Sequence, residues 1–134
     1  MLLTRQYLIK CEIYPKGRPR FTRSGHAYTP SRTRRNEDEI REFLIAQHEG
    51  LPIPKDTACR VELLFYFQRP KTDKKCKRQF CLTTSDLDNL VKQVLDAAIE
   101  IVIDDDKCIV ELSAAKQYSN KSFCIFRLTE LQSG

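Results

Sequence analysis

Two groups of carboxylates flank one predicted helix in this 134-residue chain. The segment DLDN at residues 86–89 stands at the start of that helix, and the run DDD at residues 104–106 follows its end. Carboxylate oxygens, together with water and a substrate phosphate, are the ligands that Mg²⁺ prefers. A divalent metal can polarise a phosphoryl oxygen and generate hydroxide from bound water. The two groups therefore point to metal-dependent hydrolysis of a phosphodiester.

Lys92 lies four residues after Asp88, so the two side chains share one face of that helix. Its ammonium could stabilise the charge that develops on a pentacoordinate phosphorus. A helix of roughly 15 residues is ~22 Å long, so the two acidic groups need a reversal of the chain to meet. A strand beginning near Cys108 would bring the second group back beside the first, if residues 99–106 carry the chain most of the way.

Positive charge is concentrated in the other part of the chain. Residues 1–85 carry 18 basic and 9 acidic side chains, whereas residues 86–134 carry 5 and 9, within a formal net charge of +5. Phe21 and Tyr28 interleave with arginines, which suits stacking near nucleic acid, and no base-reading motif is recognisable. Neutralising phosphates drives sequence-independent binding, so we predict that two basic segments contact DNA. Their residues are Lys16, Arg18, Arg20, Arg23, Arg32, Arg34 and Arg35, followed by Lys71, Lys74, Lys75, Lys77 and Arg78.

A purely structural explanation exists for each acidic residue. Ser85 and Asp88 form a capping-box pattern, and an acidic group near a helix N-terminus is favoured by ~0.3–1 kcal/mol. Asp88 with Lys92 is also an ordinary surface pair, and an isolated DDD run is commonly a solvated turn. Under this alternative the protein binds DNA without cutting it.

Composition and cysteine placement indicate a globular protein of a reducing compartment. No apolar run approaches the ~18–20 residues that span a bilayer, so we expect no membrane segment. The N-terminus has no signal-peptide pattern. Four of the six cysteines lie in or beside apolar strand-like runs, and no CxxC occurs. We therefore expect reduced thiols, no zinc site and a cytoplasmic location.

The hydrophobic pattern predicts one domain, residues 1–134, of the α/β (α+β) class. Alternating residues predict strands, and apolar residues at helical spacing predict helices. The predicted elements are a strand at 5–14, a short hairpin at 20–29, a helix from Thr29 or Ser31 to about His48, a strand at 61–68, a helix opening at Ser85, and strands at about 108–116 and 122–129. This order predicts a mixed sheet of about four to five strands packed with two main helices.

The segment SDLDNLVKQVLDAAIEIVIDDDKCIVEL, residues 85–112, resembles the RusA family of Holliday junction resolvases. That family carries a D-x-D-N-L-x-K-x-x-x-D-A helix followed by a D-D-x-Q-[IV] strand start. The basic stretch KGRPRFTRSGHAYTP, residues 16–30, also looks like the opening of many members. The matching residues are Asp86, Asp88, Asn89, Leu90, Lys92, Asp96 and Ala97, then Asp105, Asp106 and Ile109, with Cys108 where the family usually has Gln.

The resemblance implies a homodimeric, Mg²⁺-dependent endonuclease with a RusA-like fold that resolves four-way DNA junctions by paired symmetric nicks, in recombination and repair. Mn²⁺ is a possible substitute metal. Asp86, Asp88 and Asp106 would be catalytic metal-binding carboxylates, Lys92 the catalytic lysine, and Asp105 a further candidate ligand. The alternatives are a nuclease for flaps or other branched DNA, and a junction-binding protein without activity.

Overall fold

The computed structural model describes residues 3–17, 20–28, 31–71, 79–82 and 85–131. Four strands form its sheet: β1 (Leu3–Ile9), β4 (Cys59–Gln68), β5 (Ile109–Ser119) and β6 (Phe123–Glu130). Their spatial order is β1-β6-β4-β5, with β4 and β5 parallel and the other neighbours antiparallel. A separate ribbon pairs β2 (Arg20–Phe21) with β3 (Ala27–Tyr28), and Gly25 adopts a positive φ of 86° in the turn between them.

One face of the sheet forms the core because apolar side chains alternate along each strand. In β4 every second residue from Cys59 to Phe67 is buried. The antiparallel register places Leu63 opposite Phe126, and Phe126 opposite Tyr7, so buried rings and aliphatic groups form a row across the sheet. The Tyr7 and Phe126 rings meet edge to face at 5.6 Å.

Two helices complete the core: α1 (Ser31–Gln47) and α2 (Leu87–Ala98). Helix α2 connects the parallel strands β4 and β5, which a tight turn cannot do. Helix α1 contacts both α2 and β1. The predicted α+β domain, with a mixed sheet and two main helices, is confirmed.

The start of α2 differs from the prediction. The helix begins at Leu87, its N-cap is Asp86, and the Asp86 side chain makes no capping hydrogen bond. The predicted capping box opened by Ser85 is therefore wrong. The helix has 12 residues rather than about 15. The alternative start of α1 at Thr29 lies outside the described residues.

The chain reverses immediately after α2. The Ala98 carbonyl accepts hydrogen bonds from the amides of residues 101–103, and Glu100 adopts a left-handed φ of 72°. Ile103 forms a bridge with Ile53, which anchors the turn to the loop before β4. A short 3₁₀ turn, Asp106–Cys108, then leads directly into β5. Residues 99–105 thus make the reversal that the sequence required.

Most of the described cysteines are buried. Among the described residues Cys59, Cys81, Cys108 and Cys124 are buried, Cys11 is partly buried, and no two of these five form a disulfide. The expected reduced state stays a prediction. Cys76 lies outside the described part of the chain. Within that described part, no helix has the length and apolar character needed to cross a membrane.

Candidate active site

A cavity of about 670 Å³ opens between α2 and β5. It brings together Asp88 and Lys92 from α2 with Asp106 from the 3₁₀ turn, which are three of the four predicted catalytic residues. Its walls combine charged and apolar side chains. The lining residues are Leu87, Asp88, Val91, Lys92, Leu95, Asp96, Asp106, Leu112 and Ala114.

The charged wall of the cavity is a single face of α2. Asp88, Lys92 and Asp96 follow one another at intervals of four residues, which places them in a row along the helix. Asp96 was not predicted as a site residue, although it matches the resembled motif. The spacing that linked Asp88 with Lys92, extended by one turn, would have identified it.

A neighbouring face of α2 is fixed by a buried amide network. Gln93, which is fully buried, donates from Nε2 to the Thr33 carbonyl at 3.0 Å and to Asn36 Oδ1 at 3.2 Å. Asn36 Oδ1 also accepts from the Tyr14 amide at 2.9 Å, and its Nδ2 donates to the Glu12 carbonyl at 2.8 Å. These bonds join α2, α1 and the segment after β1, so they hold the charged face in position.

Asp106 reaches the cavity because the 3₁₀ turn places it just before β5. Asp105 is the N-cap of this turn, and its Oδ1 accepts from the Lys107 amide at 3.0 Å. That backbone hydrogen bond lowers the pKa of Asp105. The interaction with the Asp105 carboxyl, then partial burial and the charges of Asp105 and Asp96, raise the pKa of Asp106. Crowded carboxylates of this kind favour a bound cation.

Cys108, at the end of the same turn, is buried. Its amide donates to the Asp105 carbonyl at 3.3 Å. Burial, followed by the neighbouring Cys108 thiol, raises the pKa of Cys59 to about 12. The Cys108 side chain therefore packs in the core beside Cys59 as a small apolar group, while Asp106 lines the cavity.

Two of the predicted metal ligands do not line the cavity. Asp86 and Asp105 are outside the lining of the cavity. Over residues 3–17, 20–28, 31–71, 79–82 and 85–131, no three acidic, histidine or cysteine side chains stand close enough together to hold a metal ion. Of the predicted ligands, Asp88 and Asp106 share the cavity, and such a pair suits Mg²⁺ when water and a substrate phosphate complete the ligands. The full ligand set stays a prediction.

The predicted DNA-binding residues divide into several groups. Arg23, Arg34, Arg35 and Lys71 are exposed, as is Arg32, whose guanidinium lies 4.1 Å from the centre of the Tyr14 ring. Lys16 is only partly exposed and is ion-paired. Arg20 belongs to β2. The others, Arg18, Lys74, Lys75, Lys77 and Arg78, lie outside the described residues.

A family model described as "Endodeoxyribonuclease RusA" matches residues 11–125. The match includes both helices, all of β4 and β5, the first three residues of β6, and every charged residue of the cavity. A search of curated proteins finds no match to the chain.

Proposed function

Because the chain belongs to the RusA family of Holliday junction endodeoxyribonucleases, we propose that it resolves four-way DNA junctions by paired symmetric nicks, using Mg²⁺ bound beside α2. The family makes it a hydrolytic nuclease. The observation that carries the proposal is the meeting of Asp88, Lys92 and Asp106 in one cavity. Asp88 and Lys92 come from the helical part of the motif and Asp106 from its second part, and folding brings the two parts to a single site.

The proposed metal ligands are Asp88 and Asp106, joined by Asp86 from the start of α2 and by Asp105 beside Asp106. A bound divalent cation supplies a Lewis acid for the phosphodiester and activates a water molecule. Mn²⁺ prefers similar oxygen ligands and is expected to substitute. The raised pKa of Asp106 supports the proposal, because repulsion among its carboxylate neighbours is relieved when a cation binds.

Lys92 acts on the phosphate rather than on the metal. Its ammonium lies one helical turn from Asp88 in the same wall, so it is placed to stabilise negative charge that develops on the phosphate oxygens. Val91, Leu95 and Leu112 form apolar parts of the cavity.

The basic residues predicted from the sequence are proposed to hold the DNA backbone, with Arg23, Arg32, Arg34, Arg35 and Lys71 as the exposed members described by the structure. We further propose a homodimer, because two copies of one active site related by a two-fold axis suit two symmetric cuts. A role in DNA recombination and repair follows from this substrate. The five described cysteines form no disulfide with one another, which supports a reducing, cytoplasmic setting.

The test is cleavage of a synthetic four-way junction in Mg²⁺ by the wild type, Asp88→Asn and Lys92→Ala. Each substitution is expected to lower the rate at least ~100-fold, while junction binding in EDTA is retained. Lys10→Ala, which changes an exposed lysine at the end of β1, is the control and should cut normally. Equal rates in all four proteins would contradict a nuclease centred on this cavity. Faster cutting of flaps than of junctions would instead assign a general branched-DNA nuclease.

A further inference from the structure

Lys16 lies within the arginine-rich segment, but its side chain does not extend freely into solvent. Its Nζ lies 3.1 Å from Glu37 Oε1 and 3.2 Å from Asp96 Oδ2, and its side chain is 20% exposed. Partial burial opposes the charged form, but hydrogen bonds to Glu37 and Asp96 raise the pKa of Lys16 overall. A lysine held by two carboxylates has little positive charge left for a DNA phosphate.

The Asp96 carboxylate that Lys16 contacts lines the active cavity. Three carboxylates line that cavity together with the ammonium of Lys92. The phosphodiester gains negative charge as the pentacoordinate phosphorus forms, so each unneutralised carboxylate beyond those that bind metal disfavours the transition state. Lys16 supplies the counter-charge for Asp96 from outside the lining.

The backbone of Lys16 fixes the same helix at a second point. Its amide donates to the Asn89 carbonyl at 3.0 Å, one residue after Asp88. The side chain contacts α2 again at Asp96, about two turns further along. The segment after β1 is therefore fastened along the face of α2 that forms the cavity wall, and Glu37 ties it to α1 as well.

We infer that Lys16 is a positioning residue of the active cavity, which holds and neutralises Asp96, and that it does not bind the DNA backbone. This inference rests on the proposed function for its catalytic consequence. The pairing itself stands on the geometry of the folded chain. Lys16 is therefore removed from the predicted DNA-binding residues and assigned to the residues that hold the cavity-lining face of α2 in position.

The first experiment tests the pair without DNA or metal. Urea unfolding is measured for the wild type, Lys16→Met, Asp96→Asn and the double variant, as a double-mutant cycle. We expect a coupling that changes the unfolding equilibrium constant about two- to fivefold, the range of a partly exposed ion pair. A control cycle of Lys10→Met with Asp96→Asn should show no coupling. A Lys16–Asp96 coupling within error of zero would overturn the inference.

The second experiment separates positioning from DNA binding. Junction affinity is measured against salt concentration for the wild type, Lys16→Met and Arg34→Ala. A lysine or arginine that neutralises a phosphate contributes close to one unit of the salt slope. We expect Arg34→Ala, at an exposed position of α1, to flatten the slope by up to about one unit, and Lys16→Met to leave it unchanged. A loss of about one unit in Lys16→Met would overturn the inference.

The third readout is steady-state cleavage. Lys16→Met is expected to lower kcat about tenfold, the scale of a misplaced catalytic group, with KM for the junction unchanged within about twofold. Lys16→Arg can still pair with both carboxylates and should recover most of the rate. Failure of Arg to rescue kcat, or a rise in KM alone, would contradict a positioning role. If the wild type cuts no branched DNA, the proposed function is overturned instead. The unfolding cycle would then show whether Lys16 and Asp96 are coupled, independently of any cleavage.

Discussion

Asp106 is a proposed metal ligand, and at this position the proposed function and the stability of the metal-free protein oppose each other. Its carboxyl lies beside Asp105, and the charge of Asp96 adds to the same repulsion, so the pKa of Asp106 is raised. A raised carboxyl pKa means that the native state binds a proton more readily than the unfolded chain does. The ionised carboxylate therefore lowers the free energy of unfolding at pH values above its raised pKa.

Asp106→Asn is expected to raise the thermal stability of the metal-free protein. At pH 7 in EDTA the Tm should rise by about 1 °C, a small effect because Asp106 is exposed and solvent screens the repulsion. The gain should shrink as the pH falls through the raised pKa and disappear below the unfolded value of ~3.9. Scanning calorimetry from pH 3 to pH 8 measures this difference.

The same variant tests the metal. Mg²⁺ that binds the native state should raise the Tm of the wild type and raise that of Asp106→Asn much less, because a ligand has been removed. Asp56→Asn changes an exposed carboxylate in the loop before β4 and should respond to Mg²⁺ as the wild type does. Equal Mg²⁺ responses in all three proteins would remove Asp106 from the ligand set.

Local spacing predicted part of the site at the residue scale. The i, i+4 rule joined Asp88 to Lys92, and the family resemblance supplied Asp106. The contact between Lys16 and Asp96 could not be predicted in the same way, because 80 positions separate the two residues and only tertiary packing brings them together. Long-range pairs of this kind leave no periodic signal in one sequence.

At the scale of elements, α2 serves the active site only if its buried face is held against α1. Asn36 is the centre of that contact, since it satisfies the Tyr14 amide, the Glu12 carbonyl and the Gln93 amide at distances of 2.9, 2.8 and 3.2 Å. Removing its side chain leaves the partly buried Tyr14 amide and Glu12 carbonyl without this partner, and Gln93 keeps only its hydrogen bond to the Thr33 carbonyl. Unsatisfied buried polar groups cost about 1–3 kcal/mol each.

We therefore predict that Asn36→Ala lowers the free energy of unfolding by about 2–4 kcal/mol, with some relaxation of the network included. Urea unfolding followed by circular dichroism measures the change. Asp38→Ala removes an exposed short polar side chain from the same helix and should alter the free energy by less than ~0.5 kcal/mol. Similar losses of unfolding free energy in Asn36→Ala and Asp38→Ala would show that the hydrogen-bond network of Asn36 contributes little to stability.

The first turn of α2 gives a second prediction at this scale. Asp86 is the N-cap, yet its side chain makes no capping hydrogen bond. Asp86→Asn should consequently change the free energy of unfolding by at most ~0.5 kcal/mol, mainly through the helix dipole. Junction cleavage should nevertheless fall at least ~100-fold if Asp86 binds the metal. Normal cleavage by Asp86→Asn, with a loss of stability above ~1 kcal/mol in Asp86→Ala, would identify Asp86 as a cap alone.

Element types were predictable where the hydrophobic period was clean. Strand β4 alternates strictly, and its buried residues follow that alternation. The ends of α2 were not predictable, because Ser85 and Asp86 are both good caps and the apolar run continues past Ala98. Ile99 and Ile103 look helical in sequence, but they pair with each other in the reversing turn.

At the scale of the whole molecule, the strand order places the cavity at the edge of the sheet. Strand β5 follows α2 in the chain and lies outside β4, so the groove between α2 and β5 is open to solvent. The order of the elements along the chain could be predicted from the sequence, but the order of the strands across the sheet could not. Strand register and the pairing of strands depend on contacts between residues far apart in the sequence. The basic segments and the acidic cavity then come from opposite parts of the chain within one domain.

Two symmetric cuts require two active sites, whereas each chain contributes one copy of this cavity. In the proposed homodimer the two copies act on opposite strands of one junction.

A heterodimer of wild-type and Asp88→Asn chains, isolated with two different affinity tags, should therefore cut one strand only. On a supercoiled plasmid bearing a cruciform, the wild type is expected to give linear DNA, while the heterodimer gives nicked circles. Agarose gels resolve the two products, and an Asp88→Asn homodimer, which should leave the plasmid intact, is the control. Linear product from the heterodimer at the wild-type rate, or sedimentation of the wild type as a monomer on junction DNA, would contradict coordinated cutting by two subunits.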